Sequence, residues 1–92
     1  MIKNFACKET QRLFETGKSR RFGNIARVAL RKLDMIQYAA DLHDLAVPPA
    51  NKLEALKRDR QGQHSIRIND QWRICFIWSD SGVTAVEIVD YH

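Results

Sequence analysis

The sequence contains no uninterrupted apolar run of about 18 residues, the length a membrane-crossing helix needs. Its opening stretch, Met1 to Ala6, lacks the apolar centre of a secretory leader. Neither a spanning segment nor an export signal is expected, and the cytoplasm is the expected location. Cysteine is scarce: Cys7 and Cys75 lie far apart and show no metal-binding spacing. That excludes a disulfide framework and a cysteine zinc site, and predicts two reduced thiols. His43 and His64 also lack metal-ligand spacing, so no metal or other cofactor is expected. The chain has no internal repeat, no low-complexity tract and no linker-like segment. At 92 residues, with 45% hydrophobic content, it is expected to form one domain, 1–92, with a small core.

Acids are scarce at the start and bases are missing at the end. Residues 1–33 hold nine Lys/Arg and two acids, giving +7. Residues 34–56 hold one and four, giving −3. Residues 57–78 hold five and two, giving +3, and residues 79–92 hold none and three, giving −3. The sum is +4, with a pI near 9.4. Two basic zones separated in sequence suit a polyanion such as RNA, or an acidic protein partner.

Ile2 to Cys7 is a short strand candidate. Lys8 to Thr16 is a short helix with Leu13 and Phe14 inward, ended by Gly17 in a left-handed conformation. Lys18 to Arg21 is a polar loop. The spacing of Ile25, Val28, Ala29, Leu33, Ile36 and Ala40 predicts a main helix from about Asn24, its N-cap, to Ala40. Asp41 to Leu45 reads as one more helical turn. Val47-Pro48-Pro49 stops any helix and forces an extended path.

The last third carries the densest pattern. Ile66 and Ile68 alternate with Ser65 and Arg67; Trp72, Ile74, Phe76 and Trp78 alternate with Arg73, Cys75 and Ile77. Period two on both sides of Asn69-Asp70 predicts a hairpin. A loop of Asn69, Asp70 and Gln71 sets Ile66 opposite Ile74 and Arg67 opposite Arg73, which keeps the two faces distinct. Facing arginines repel, so an anion or a carboxylate such as Asp90 is expected between them. After a turn at Ser79 to Gly82, a last strand from Thr84 to Tyr91 leads to Asp90-Tyr91-His92. The predicted fold class is α+β: an N-terminal strand and two helices packed on one face of a small antiparallel sheet. Trp72, Ile74, Phe76 and Trp78 are expected under the helices, with the Arg73 face open.

Three segments together resemble a known family: Leu56 to Gly62, Ser65 to Phe76, and Glu87 to His92. They are similar to the HigB-type toxins, including the GraT toxins, of the RelE/ParE toxin–antitoxin superfamily. The resemblance runs nearly end to end, and the Asp90-Tyr91-His92 tail is its most specific part. It implies a compact RelE-like fold and an endoribonuclease that cuts mRNA in the ribosomal A site. It implies as partners the ribosome with its mRNA and a helix-turn-helix, HigA-like antitoxin. Operator DNA is reached only through that antitoxin, and no membrane is involved. The working residues it implies are Lys57, Arg73, Asp90, Tyr91 and His92. The chain departs from the family pattern twice. Arg58 stands where the loop usually has glycine, and Glu54 stands where some members place an active-site histidine.

These side chains suit metal-independent RNA cleavage by 2′-OH attack on the adjacent phosphate. Arg73 and Lys57 supply positive charge for the phosphoryl oxygens. His92 can move a proton near neutral pH, with Asp90 as its orienter or as the base. Tyr91 can stack on a base or hold a phosphate. Arg58, Arg60 and Arg67 are further RNA contacts. Lys18, Arg20 and Arg21 are expected on ribosomal RNA phosphate, or on an acidic antitoxin segment. The alternative reading is a non-catalytic toxin of the same superfamily, a gyrase inhibitor, or an inactive RNA- or antitoxin-binding domain.

Overall fold

The order of elements follows the alternation of helical and strand periods in the sequence. The computed structural model describes residues 1–90. Helix α1 spans Lys8–Thr16 and helix α2 spans Ala26–Tyr38. Four strands follow: β1 (Glu54–Ala55), β2 (His64–Arg67), β3 (Trp72–Ser79) and β4 (Gly82–Asp90). They form one antiparallel sheet in the order β1-β2-β3-β4.

Helix α1 buries Thr10 and Leu13 and ends at Gly17, whose φ of 76° an L side chain rarely adopts. The Gly17 N–H donates to the Leu13 carbonyl at 2.8 Å. The Thr10 hydroxyl accepts the Ile88 N–H at 3.0 Å, which ties α1 to β4. The main helix begins later than Asn24. Buried Phe22 precedes it and its carbonyl takes the Ile25 N–H at 3.0 Å, so Gly23–Ile25 is a 3-10 turn and Asn24 sits inside it rather than capping. The helix also stops earlier, because Ala39 is extended and the Asp44 carboxylate takes the Ala40 N–H at 2.8 Å. Asp41 and Asp44 then cap the 3-10 turn Leu42–Leu45 reciprocally. Ile25, Ala29, Leu33 and Ile36 form the buried stripe and pack with Ile66, Ile74, Phe76, Val83, Val86 and Ile88 from the sheet. Trp72 and Trp78 are half-buried on the same core, and Phe22 meets Trp72 edge to face at 5.5 Å.

The hairpin has the expected register: Ile66 faces Ile74 and Arg67 faces Arg73. Asn69 is needed at its tip because its Oδ1 accepts the N–H groups of both Gln71 and Trp72 at 2.8 Å. The N-terminal stretch differs from expectation. It forms isolated parallel bridges, Ile2 to Val83 and Phe5 to Val86, instead of a continuous strand. The cause lies in β4, where Ala85 has a φ of 54° and the register against β3 shifts by one between Cys75 and Ile77. This bulge turns the Ala85 N–H to the Asn4 side chain, 2.7 Å away, and breaks the ladder. Ala85→Gly relieves the left-handed strain at some cost in chain entropy, and is expected to stabilise by about 0.5–1 kcal/mol. Urea unfolding checks this, and a loss of stability contradicts it.

The face opposite the helices is less open than its polar alternation implied. Ser65, Arg73 and Cys75 are all buried on it. Arg73 lies across β2, and Cys75 pairs across the strands with Glu87, whose carboxylate takes Arg60 at 2.8 Å.

Two buried groups shape the alkaline behaviour. Lys32 on α2 donates to the Asn51 side-chain oxygen, and Asn51 in turn donates to the Leu45 carbonyl at 3.1 Å. Burial, reinforced by Arg31 and Arg67, holds the Lys32 amine below its ordinary 10.5. Burial likewise pushes the Cys75 thiol above its ordinary 9.0. The signs oppose. The lysine penalises folding while both states are charged, and that penalty fades as pH climbs toward 10.5. The thiol's contribution is complete below 9.0 and is lost as pH rises through its raised value. In urea titrations above about pH 8, Lys32→Met should remove a rising component of stability and Cys75→Ala a falling one. Identical slopes in all three proteins would contradict both assignments.

Candidate functional site

Arg73 is held by the protein itself. Its Nε donates to Ser65 Oγ at 2.8 Å, and its Nη2 donates to the Lys52 carbonyl at 2.6 Å and to the Ser65 carbonyl at 3.3 Å. It is only 8% exposed. Lys52 is strained, at φ 46° and ψ 55°, just after the 3-10 turn Pro49–Asn51. Two cationic side chains therefore grip neighbouring residues of one segment: Lys32 takes Asn51 and Arg73 takes Lys52. Together they fix where the chain leaves the Pro48-Pro49 stretch and enters β1.

The carboxylate expected between Arg67 and Arg73 is not Asp90. Arg67 pairs with Asp70 from the hairpin loop, while Arg73 turns to Ser65 and Lys52. Asp90 stands across from Trp72, one residue out of step with the Arg67–Arg73 row and in step with Ile74 and Ile88. Its Oδ2 accepts from Gln71 Nε2 at 3.1 Å, so it borders the hairpin tip at the end of β4. Tyr91 and His92 lie outside the described residues.

The loop between β1 and β2 presents the accessible cations. Lys57 and Arg58 are exposed, and both line an open groove with Glu54, Ala55 and Leu56. Arg58 has a φ of 58°, so the position where the family pattern carries glycine is indeed left-handed here. Arg60 is committed to Glu87 at 2.8 Å and to Gln63 at 3.1 Å. Glu54 shares a cross-strand row with Ser65, Cys75 and Glu87, on the same side of the sheet as Arg73. Lys18, Arg20 and Arg21 are exposed on the α1–α2 connection, with the Arg21 guanidinium 5.2 Å from the centre of the Phe22 ring. They belong to a different segment from the Lys57 loop.

Two roles were not visible in the sequence. Ser65 looked like one polar position in a hairpin, yet it is fully buried and orients Arg73. The sequence marks His64 only by its lack of metal-ligand spacing. This histidine is half-buried against Phe76, with ring centres 6.4 Å apart, and its Nδ1 is buried with no hydrogen-bond partner among the described residues. His43 is exposed. Among the described residues no three His, Cys, Asp or Glu side chains gather as a metal site. No described helix is long and apolar enough to cross a membrane.

Two helices followed by a four-stranded antiparallel meander define a compact RelE-like α+β protein. The same fold occurs in the YoeB-YefM complex from Staphylococcus aureus, with a TM-score of 0.62, 17% identity, and coverage of 100% of this chain and 98% of that one. Residues 3–92 match the family described as RelE-like toxin of type II toxin-antitoxin system HigB. Toxin HigB-1 of Vibrio cholerae serotype O1 is 34% identical over 94 aligned residues, covering 100% of this chain and 98% of that protein. An uncharacterized protein of Haemophilus influenzae is 40% identical over 60 residues, which is 65% of this chain and 59% of that protein. The chain belongs to the HigB family of RelE-like toxins of type II toxin–antitoxin systems.

Proposed function

We propose that this toxin is a ribosome-dependent endoribonuclease that cuts mRNA in the A site and is neutralised by an antitoxin of the helix-turn-helix, HigA-like kind. The observation that carries the reading is the end-to-end match to the HigB family, in a chain whose Lys57 and Arg58 stand exposed on one rim of the sheet. In this reading Lys57 and Arg58 engage phosphate, as a compact ammonium and a forked guanidinium. Arg73, shielded from solvent and held through Nε and Nη2, sets the path of the segment leading to them and adds its charge beside the phosphate. Asp90 and His92 divide the proton transfers: one accepts from the 2′-OH and one donates to the leaving 5′-oxygen. Tyr91 stacks on a base or holds a phosphate. Lys18, Arg20 and Arg21 provide salt-sensitive attachment to ribosomal RNA, with Arg67 and Arg60 as flanking charge.

The test is a purified translation mixture beside the same mRNA without ribosomes. Cleavage within translated codons only when ribosomes are present supports the reading. Cutting of free mRNA to the same extent removes the ribosome requirement, and no cutting in either mixture removes the nuclease.

A further inference from the structure

The two edges of the sheet are treated differently. The outer side of β4 is covered: Ile2 and Phe5 bridge to it, and the Thr10 hydroxyl takes the Ile88 N–H. Among the described residues no strand lies beside the outer side of β1. Both β1 residues, Glu54 and Ala55, are exposed.

The hydrogen-bond parity of β1 is fixed. The Leu56 N–H donates to the Gln63 carbonyl at 2.9 Å, and Glu54 pairs with Ser65. In an antiparallel ladder, alternate residues direct both backbone groups to the same neighbour. Glu54 and Leu56 therefore point theirs inward to β2, while the N–H and C=O of Ala55 point outward. The groove along this edge is lined by Glu54 to Arg58 in one continuous run. A bare edge of this kind is a template for one more extended strand.

Charge selects the occupant. The groove carries one acid, Glu54, at one end and two cations, Lys57 and Arg58, at the other, with Lys52 exposed just before β1, so its balance is positive. A second copy of this chain would oppose these cations with its own. An acidic segment complements them.

We propose that the β1 edge accepts an extended acidic segment of the antitoxin as a fifth strand, paired to the backbone of Ala55 and laid over Lys57 and Arg58. This rests on the reading that an antitoxin binds the chain, and it deepens that reading. The added strand occupies the two cations assigned to RNA phosphate, so neutralisation is direct competition for the Lys57 loop.

The experiment uses the toxin co-purified with the antitoxin co-expressed from its own operon. Amide hydrogen exchange is read in the free toxin and in the complex. Exchange at Ala55 should slow at least about tenfold in the complex, as expected for a solvent-facing N–H that gains a strand partner. Ala55→Pro removes that N–H but no bond to β2, so it should weaken antitoxin binding on the order of tenfold with little change in melting temperature. Lys57→Glu with Arg58→Glu should weaken binding independently of the backbone, which keeps the inference testable if the proline variant does not fold. A complex that forms with Ala55 exchange and the affinities of all these variants unchanged overturns the inference and leaves the antitoxin partner intact. Failure of any complex to form overturns the partner reading itself, and this inference with it. Slowed exchange at Ala55 with a single-stranded RNA oligonucleotide, and none with the antitoxin, would make the groove an RNA site and overturn the inference.

Discussion

Arg73→Ala is expected to destabilise the fold by about 2–4 kcal/mol, because three hydrogen bonds from a buried cation vanish together. The Lys52 carbonyl loses a charged donor at 2.6 Å, and Ser65 loses the partner that explains its burial. The loss falls where the chain enters β1, so the Lys57 loop shifts with it. Activity should therefore drop along with stability, and an inactive Arg73→Ala protein does not by itself identify a catalytic group. Arg73→Lys separates the two roles. A lysine keeps the charge but has no fork with which to hold Ser65 and Lys52 at once. Thermal unfolding of the three proteins should rank wild type above Lys above Ala. Equal melting temperatures for all three would mean that the buried bonds of Arg73 contribute nothing to the fold.

His92→Ala should lower the rate of mRNA cleavage by about 10²–10⁴-fold, the usual worth of one proton-transfer group. The chain needs a group that changes protonation near neutral pH, and an imidazole does so unaided. His43 is exposed on the Leu42–Leu45 turn, and His64 is stacked against Phe76 at the start of β2. The variant should also change the shape of the pH–rate profile, because one of the two proton-transfer groups is gone. An unchanged profile with an unchanged rate would remove His92 from the mechanism. A lowered rate with an intact profile would make it a binding residue.

The hairpin was legible because period-two patterning and Asn69 both act locally, and only one loop length keeps the faces unmixed. Helix α2 was legible through its apolar stripe, but its ends were not. Phe22 and Asp44 set those ends through contacts that no helical pattern encodes. The Ala85 bulge left no sequence signal, since alanine there looks like any strand residue, and it is the bulge that turns the N-terminal stretch into two isolated bridges. The state of Arg73 was misread for a related reason. Alternation shows which residues share a face, not what lies over that face. One of its acceptors is the Lys52 carbonyl, 21 residues away in sequence. Lys57 and Arg58 stand exposed on the charged loop that the sequence marks between Leu56 and Gly62. Arg60 and Arg67 pair with Glu87 and Asp70, which no local pattern in the sequence marks as their partners.

The central claim is that the chain cuts mRNA on the ribosome, and mapping new 5′ ends after a brief induction tests it most directly. Lys57→Ala is the comparison of choice. Its side chain is exposed, so its loss should leave the fold within about 0.5 kcal/mol of wild type. New ends are expected inside translated frames, in phase with codons, abundant with wild type and depleted with Lys57→Ala. Growth arrest with DNA damage and no new ends would contradict the claim, and would place the toxin among those that act without cutting RNA.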